Sequence, residues 1–243
     1  MRLDRLLVER GLVGSREKAQ ALILARQVLV DGRPAAKPGH AVSCEAALGL
    51  LAPLKYVSRG GLKLEAALDH WSIQVRGVVC LDIGASTGGF TDCLLQRGAT
   101  RVHAVDVGKG QLDWRLRNDP RVMVREGLNA RRLEWADIGE AVDLVTCDVS
   151  FISATLILPR TPPLLRDGSR MVALAKPQFE AGRGQVGKGG IVRDPRVRAA
   201  AVEKVSRAVA ALGFRKVEWM ECPVTGAEGN REFLVHGWEY SRK

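Results

Sequence analysis

Along the first fifty residues the apolar positions change their period. Leu3, Leu6 and Leu7 share one helical face and Gly11 ends the run, which predicts a short helix. Ser15 is a suitable N-cap for a second helix, in which Ala19, Leu22 and Ile23 recur at helical spacing up to Ala25. The stretch Val28-Leu29-Val30, the turn pair Asp31-Gly32 and extended residues up to Val42 then predict a short hairpin. Residues 44–55, with Ala46, Ala47, Gly49, Ala52 and Pro53, read as a linker, and a second domain starts near Tyr56. The expected division is therefore a small unit with its linker over 1–60 and a larger one over 61–243.

From Gly77 onward, apolar runs alternate with helical patterns. Strands are predicted over Val78–Ile83, Val102–Val107, Val142–Cys147 and Met171–Ala175, with helices around Asp92, Gln111, Leu156 and Val202. That alternation is the signature of an α/β fold, a parallel sheet with helices on both faces. The segments 216–222 and 232–238, separated by Gly226, Gly229 and Asn230, predict an antiparallel pair at the sheet edge.

Charge sharpens the division. The chain of 243 residues carries 37 Lys plus Arg against 27 Asp plus Glu, a formal charge of +10. Residues 1–60 hold 10 basic and 5 acidic side chains, 61–175 hold 14 of each, and 176–243 hold 13 and 8. The excess is terminal, which favours polyanion binding by the small N-terminal unit. Within that unit Arg5, Arg10, Arg16, Lys18, Arg26, Arg33 and Lys37 interleave with the apolar framework. At 46% hydrophobic and 26% charged the composition is globular. No uncharged stretch approaches the roughly 20 residues a membrane helix needs, and the N-terminus opens no signal peptide, so a cytoplasmic protein is expected. The five cysteines are widely spaced without a C-x-x-C pair, which supports neither a disulfide framework nor a zinc site. Cys80 and Cys147 lie inside predicted strands, as core residues.

Candidate chemistry concentrates in the glycine-rich turn Leu81-Asp82-Ile83-Gly84-Ala85-Ser86-Thr87-Gly88-Gly89-Phe90-Thr91-Asp92. Glycines there permit a tight turn and close approach of a ligand to the backbone, beside the N–H groups of the following helix. The second strand ends in Asp106, 22 residues after Gly84, where a carboxylate can accept hydrogen bonds from a ribose. Together these favour a nucleoside ligand. Two other readings stand beside it: a purely structural glycine turn, and the G-x-S-x-G elbow of a hydrolase, with Ser86 as nucleophile and His236 as base. A further glycine run, Gly182-Arg183-Gly184-Gln185-Val186-Gly187-Lys188-Gly189, nearly matches a P-loop. Gly189 stands where a magnesium-binding hydroxyl belongs, so a mobile basic loop over a substrate is the better reading. Asp148 and Lys176 close two predicted strands at the end where open α/β sheets bind ligands, close enough to pair.

Two resemblances add to this. Ser15-Arg16-Glu17-Lys18-Ala19, Leu22-Ile23, Val28 to Gly32 and Lys37-Pro38 resemble the alpha-L RNA-binding domain of ribosomal protein S-four, which implies recognition of folded RNA through phosphates and shape. Tyr56 to Leu64, the turn from Asp82 to Phe90, Cys147-Asp148-Val149-Ser150-Phe151, Lys176-Pro177-Gln178-Phe179-Glu180 and Gly229-Asn230-Arg231-Glu232 resemble the TlyA branch of FtsJ-like RNA methyltransferases.

That second resemblance spans nearly the whole chain and implies a Rossmann-like class I methyltransferase sheet using S-adenosyl-L-methionine. It further implies methylation of a cytidine 2′-hydroxyl in ribosomal RNA, with no metal and with ribosomal RNA or ribosomal subunits as partner. A monomer is expected. The family's catalytic tetrad falls on Lys63, Asp148, Lys176 and Glu232, with Lys176 as general base or charged stabiliser. The cofactor's methionine end is assigned to Gly84, Ser86, Thr87 and Gly88, its ribose to Asp106 and its adenine to Asn129. Asp82, Ala85, Gly89, Phe90 and Asp148 complete that set, and Arg59 joins the RNA contacts. The chain starts at Met1-Arg2-Leu3 and ends soon after Trp238, shorter than other members, which tilts the expected target toward the large subunit, with the small subunit as a second possibility. Some relatives are named haemolysins, but no segment here suits a pore. An inactive ribosomal-RNA-binding factor is the remaining alternative, against which the complete tetrad argues.

Overall fold

A computed structural model describes residues 1–24, 26–35, 37–51, 55–226 and 229–242, in two compact units, 1–54 and 55–243. Ala25, Ala52 and Pro53 lie outside the described residues. The boundary precedes the expected one because Tyr56 to Arg59 belong to the second unit. Tyr56 is buried and its hydroxyl donates to Glu65, while the Val57 N–H donates to Asp92. At Gly61 a Cβ would lie 2.3 Å from the Tyr56 ring, so glycine is what admits that ring.

In the first unit, helices α1 (Leu3–Glu9) and α2 (Arg16–Leu24) pack on strands β1 (Val28–Val30), β2 (Arg33–Pro34) and β3 (Leu48–Leu50), ordered β2-β1-β3. Leu3, Leu7, Ala19, Ile23 and Val28 form its core. Asp31 (φ 50°) and Gly32 (φ 76°) make the two-residue turn between β1 and β2, both in the left-handed region that such hairpins require. The expected linker is in part a strand. Leu48 to Leu50 pair with β1, and the Ala47 N–H bonds to the Asp31 carboxylate, so the 44–51 segment closes the sheet. The hairpin strand ends at Pro34 and does not continue to Val42.

The second unit is built on a seven-stranded sheet ordered β6-β5-β4-β7-β8-β10-β9. Its strands are β4 (Val79–Ile83), β5 (Arg101–Asp106), β6 (Val122–Glu126), β7 (Val142–Cys147), β8 (Leu165–Ala175), β9 (Phe214–Glu221) and β10 (Phe233–Tyr240). The first five in that order run parallel, and β10 is antiparallel to both neighbours. Alternate strand residues enter opposite cores. Cys80 and Leu144 pack toward α3 (Gly60–His70) and α4 (Gly89–Gln96), whereas Leu81, Ile83 and Val145 join the core of α8 (Pro195–Ala211). Both faces are covered, which explains the near-continuous apolar runs.

Several elements differ from expectation. Strand β6 was not anticipated: it is a short edge strand ending in Arg125 and Glu126. The α3 helix, which carries Lys63, was visible only as a motif. Around Leu156 there are three single 3-10 turns, because Pro159, Pro162 and Pro163 cannot continue a helix. Near Gln111 the helix is one turn, α5 (Trp114–Arg117), capped by Asp113, and a second single turn, α6 (Trp135–Ile138), follows β6. The antiparallel pair is not wholly at the edge: β10 inserts between β8 and β9, burying Phe233 to Gly237, and only β9 is outermost. Among the described residues no helix is long and apolar enough to cross a membrane.

Candidate active site

Strand order reverses between β4 and β7, which opens a crevice at their carboxyl ends. The two strand ends touch through backbone. The Asp148 N–H donates to the Ile83 carbonyl at 2.9 Å, and a Cβ on Gly84 (φ 85°) would sit 2.4 Å from the Asp148 carbonyl oxygen. Any other residue at 84 would push the glycine turn away from β7.

Two adjoining cavities occupy the crevice and share Gly84, Ser86, Asp148 and Ser150. The larger, about 530 Å³, lies within the roughly 300–1,000 Å³ usual for small-molecule sites. Val105, Leu128, Ile152 and Ile157 give it apolar walls, with Asp106 and Asn129 as polar groups. Asp106 accepts the N–H groups of Ser86 and Gly108, each at 2.7 Å, so one lone pair on each oxygen remains for a ligand. Asn129 caps the following turn through Arg131 N–H. An apolar slot with a ribose-accepting carboxylate at one end fits a nucleoside cofactor.

The second cavity, about 340 Å³, is lined by Arg59, Lys63, Ala85, Thr87, Gly89, Phe90, Lys176 and Thr225 besides the shared residues. Two ion pairs, each with a buried lysine, flank it. Lys63 Nζ donates to Glu232 Oε2 at 2.5 Å, bridging α3 and the residue that leads into β10. Lys176 Nζ lies 2.6 Å from Asp148 Oδ1 and donates to Ser150 Oγ at 2.9 Å. Asp148 Oδ1 makes this contact as an ion pair without hydrogen-bond geometry, so it is Coulombic in character. All four tetrad candidates therefore converge at one site.

Not every candidate reaches a cavity. Asp82 is fully buried beneath the glycine turn, where Thr91 (2.7 Å) and Thr146 (2.9 Å) donate to its two oxygens. It supports the turn and is not a ligand contact. Burial pushes its carboxyl up to about 6, against the pull of the threonine hydroxyls. Gly88 (φ 97°) likewise lines neither cavity. It lets α4 begin beside Leu112 and Leu116, whose side chains a Cβ would strike. The hydrolase reading fails on geometry. Ser86 Oγ meets Gln111 Oε1 at 3.3 Å, while His236 is buried between Trp71 and Trp238 with neither ring nitrogen hydrogen-bonded. The run from Gly182 forms two 3-10 turns and opens no phosphate-binding helix. Asn230 pins its far end, accepting Val192 N–H and donating to the Gly190 carbonyl.

Of the basic candidates in the first unit, Arg5, Lys18, Arg26, Arg33 and Lys37 are exposed and have no ion-pair partner among the described residues. Arg16 differs: its Nε donates to Asp4, a fully buried carboxylate that Arg2 and Gln20 also bind. These partners hold the Asp4 carboxyl far below its ordinary range despite burial. Arg10 is also structural, donating to the Ala46 and Cys44 carbonyls. Sequence reasoning passed over Ser150, Thr225 and Phe151. Ser150 and Phe151 stand in the quoted Asp148 motif, and Phe151 is 91% exposed at the rim of the larger cavity with φ 64°, its ring on Phe179.

Known proteins agree with this architecture. The FtsJ-like methyltransferase family matches residues 56–238 and the S4 domain matches residues 1–45. The 16S/23S rRNA (cytidine-2′-O)-methyltransferase TlyA of Mycobacterium tuberculosis is 50% identical over 236 residues, 96% of this chain and 88% of the relative. Hemolysin A of Brachyspira hyodysenteriae is 43% identical over 237 residues, 97% of this chain and 99% of the relative. A solved structure of a protein described as a hemolysin, from Streptococcus thermophilus, superposes with a TM-score of 0.75 at 42% identity, covering 99% of this chain and 89% of the other. With an S4 domain ahead of a methyltransferase sheet and relatives matched along nearly its full length, the chain belongs to the FtsJ-like methyltransferases, in the TlyA branch.

Proposed function

We propose that the protein transfers a methyl group from S-adenosylmethionine to the 2′-hydroxyl of a cytidine in ribosomal RNA. The observation that carries this reading is the convergence of Lys63–Glu232 and Lys176–Asp148 on the smaller cavity, which shares Asp148 and Ser150 with the larger one. The larger cavity holds the cofactor, with Asp106 toward its ribose and Asn129 toward its adenine. The smaller one takes the target ribose. S-adenosylmethionine, when bound, supplies an activated sulfonium methyl group.

The protein's own residues then have three tasks. Gly84 and Ser86, which line both cavities, set the cofactor's place against the target ribose, and positioning is a large contribution to such a transfer. Lys176, oriented by Asp148 and Ser150, steadies the charge that develops on O2′ as its proton passes to solvent water. Lys63, fixed by Glu232, adds a second positive charge to the same cavity. The exposed Arg5, Lys18, Arg26, Arg33 and Lys37, with Arg59 at the cavity, engage RNA phosphates. The M. tuberculosis relative, named as acting on 16S and 23S rRNA cytidines, supports the substrate class.

The decisive experiment incubates purified protein with unmodified ribosomal subunits and S-adenosylmethionine and maps methylated ribose by mass spectrometry. One or more 2′-O-methylcytidines is the expected product. Absence of ribose methylation on either subunit, under conditions where the cofactor binds, overturns the reading.

A further inference from the structure

Behind the Lys176–Asp148 pair lies a second polar cluster. Glu180, in α7 (Pro177–Glu180), is 7% exposed, yet its carboxylate faces three donors from two other segments. Oε1 accepts the Ala154 N–H at 2.7 Å, Oε2 accepts the Ser153 hydroxyl at 2.5 Å, and Lys204 Nζ of α8 lies 3.0 Å from Oε2. Lys204 also donates to Ser153 Oγ (3.2 Å) and to the Glu180 carbonyl (3.1 Å). A carboxylate taken so far out of water is costly unless its partners are in place. Here they are.

The connectivity closes on itself. Glu180 donates its backbone N–H to the Lys176 carbonyl at 3.1 Å, while its side chain grips Ser153 and Ala154. Ser153 is three residues from Ser150 and five from Asp148, the two groups that face the Lys176 ammonium. The ring thus runs from the Lys176 side chain to Asp148 and Ser150, along the loop to Ser153, through Glu180 and back to the Lys176 backbone. Within that ring Phe151 adopts φ 64°, a strained conformation that persists only where surroundings impose it. Among the described residues Lys63 has no comparable clamp; it is held by Glu232, the residue just before β10.

We infer that Glu180 is a positioning residue for Lys176, holding the Asp148–Ser153 loop at the distance that lets both Asp148 and Ser150 engage the ammonium, with Lys204 keeping Glu180 in place. The inference rests on the proposed methyl transfer for its kinetic consequence, but its structural core does not.

Glu180→Gln is the main test, because it keeps the shape and one acceptor for Ala154 while turning a donor toward Ser153 and Lys204. Lys204→Met and Lys204→Arg accompany it. Two readouts are taken on the full chain. The first is NMR of 13C-labelled lysine side chains, with Lys176 and Lys63 assigned through single substitutions. The Lys176 resonance is expected to move in Glu180→Gln and in Lys204→Met, to stay near wild type in Lys204→Arg, and the Lys63 resonance to stay fixed throughout. The second is turnover on ribosomal subunits: kcat is expected to fall at least tenfold in Glu180→Gln, with cofactor Kd and KM for RNA within twofold of wild type. An unmoved Lys176 resonance overturns the inference, as does a fall in kcat no larger than the fraction of unfolded protein at the assay temperature. If the wild type proves inactive on ribosomal RNA, the functional reading falls, and the NMR arm still decides whether Glu180 positions Lys176.

Discussion

Asp106 accepts the backbone N–H of Ser86 at 2.7 Å, and this contact ties the tip of β5 to the glycine turn that follows β4. The same carboxylate takes the Gly108 N–H, so it shapes the pocket floor while presenting its remaining lone pairs to the cavity. Asp106→Ala removes both functions. A hydrogen bond to a charged group contributes about 1.5–3 kcal/mol, so cofactor affinity should fall on the order of 10- to 100-fold. Isothermal calorimetry measures this, and unchanged affinity would remove Asp106 from the binding site.

Asp82 makes a pH prediction of definite sign. Its carboxyl in the fold is raised to about 6 from an ordinary value of 3.8, so the folded state holds the proton more tightly than the unfolded one. Stability from this group is present below about pH 4 and is lost as pH rises through about 6. The difference corresponds to roughly 3 kcal/mol, as an order of magnitude. Asp82→Asn removes the charge, keeps one threonine hydroxyl donating to its amide oxygen and turns the other into an acceptor of its NH2 group, so its stability relative to wild type should rise between pH 4 and pH 8. Urea unfolding of both proteins at the two pH values tests it, and a pH-independent difference would show that Asp82 ionises in the fold as it does in water.

The Lys63–Glu232 pair separates stability from activity. Glu232→Gln leaves a buried ammonium without its counter-charge, and breaking a buried pair costs about 3–5 kcal/mol. The double variant Lys63→Met/Glu232→Leu removes both charges and should recover much of that loss while remaining inactive. Thermal unfolding and the methylation assay together read the two effects. A double variant that regains activity with stability would make the pair purely structural.

Much of this organisation is legible in the chain. The strand endings Ile83, Asp106, Cys147 and Ala175 follow from apolar runs cut by a polar or glycine residue, and both faces of those strands are buried. The four tetrad positions came from motif resemblance, and only the fold brings Lys63 and Glu232, 169 residues apart, into contact. What escaped the sequence has physical reasons. A three-residue strand such as Leu48–Leu50 carries too few positions to display a period, and its pairing with β1 is a tertiary event. Asp82 and Ser86 occupy the same glycine-rich motif, yet one is sealed under Thr91 and Thr146 and the other reaches both cavities. Glu180 looks like any polar residue after a proline turn until Ala154 and Lys204 close around it.

The first unit predicts two kinds of arginine. Arg33→Ala or Arg5→Ala removes an exposed charge, so RNA affinity should weaken modestly and the slope of log K against log salt should flatten by about one, with no change in unfolding. Arg16→Ala also leaves the buried Asp4 with one donor fewer, so this variant should lose stability as well. Filter binding across a salt series, alongside thermal unfolding, separates the two. Equal thermal effects in Arg16→Ala and Arg33→Ala would mean that the Asp4 contact is energetically idle.

Lys176 offers the most direct test of the chemistry. Its ammonium sits between Asp148 and Ser150 at the junction of the two cavities, at the end of β8 where an apolar strand meets the crevice. Removing one preorganised charge-stabilising donor typically lowers kcat by about 100- to 1,000-fold. Lys176→Ala should therefore suppress 2′-O-methylation by at least that factor, with cofactor affinity little changed because the side chain acts on the hydroxyl and not on the methyl donor. Lys176→Arg divides the two roles open to a lysine. Arginine keeps the positive charge but does not deprotonate in a protein, so a charge-stabilising lysine leaves measurable activity in this variant, whereas a general base leaves none beyond that of alanine. The structure favours the first outcome, since Asp148 lies 2.6 Å from the ammonium as its counter-ion. Mass spectrometry of methylated RNA fragments gives the readout, and a pH series adds a second: a wild-type rate that climbs with pH, in step with inactive arginine and alanine variants, would assign the proton to Lys176 itself. Near wild-type methylation by Lys176→Ala would leave the pair with Asp148 a structural contact and remove Lys176 from the catalytic set.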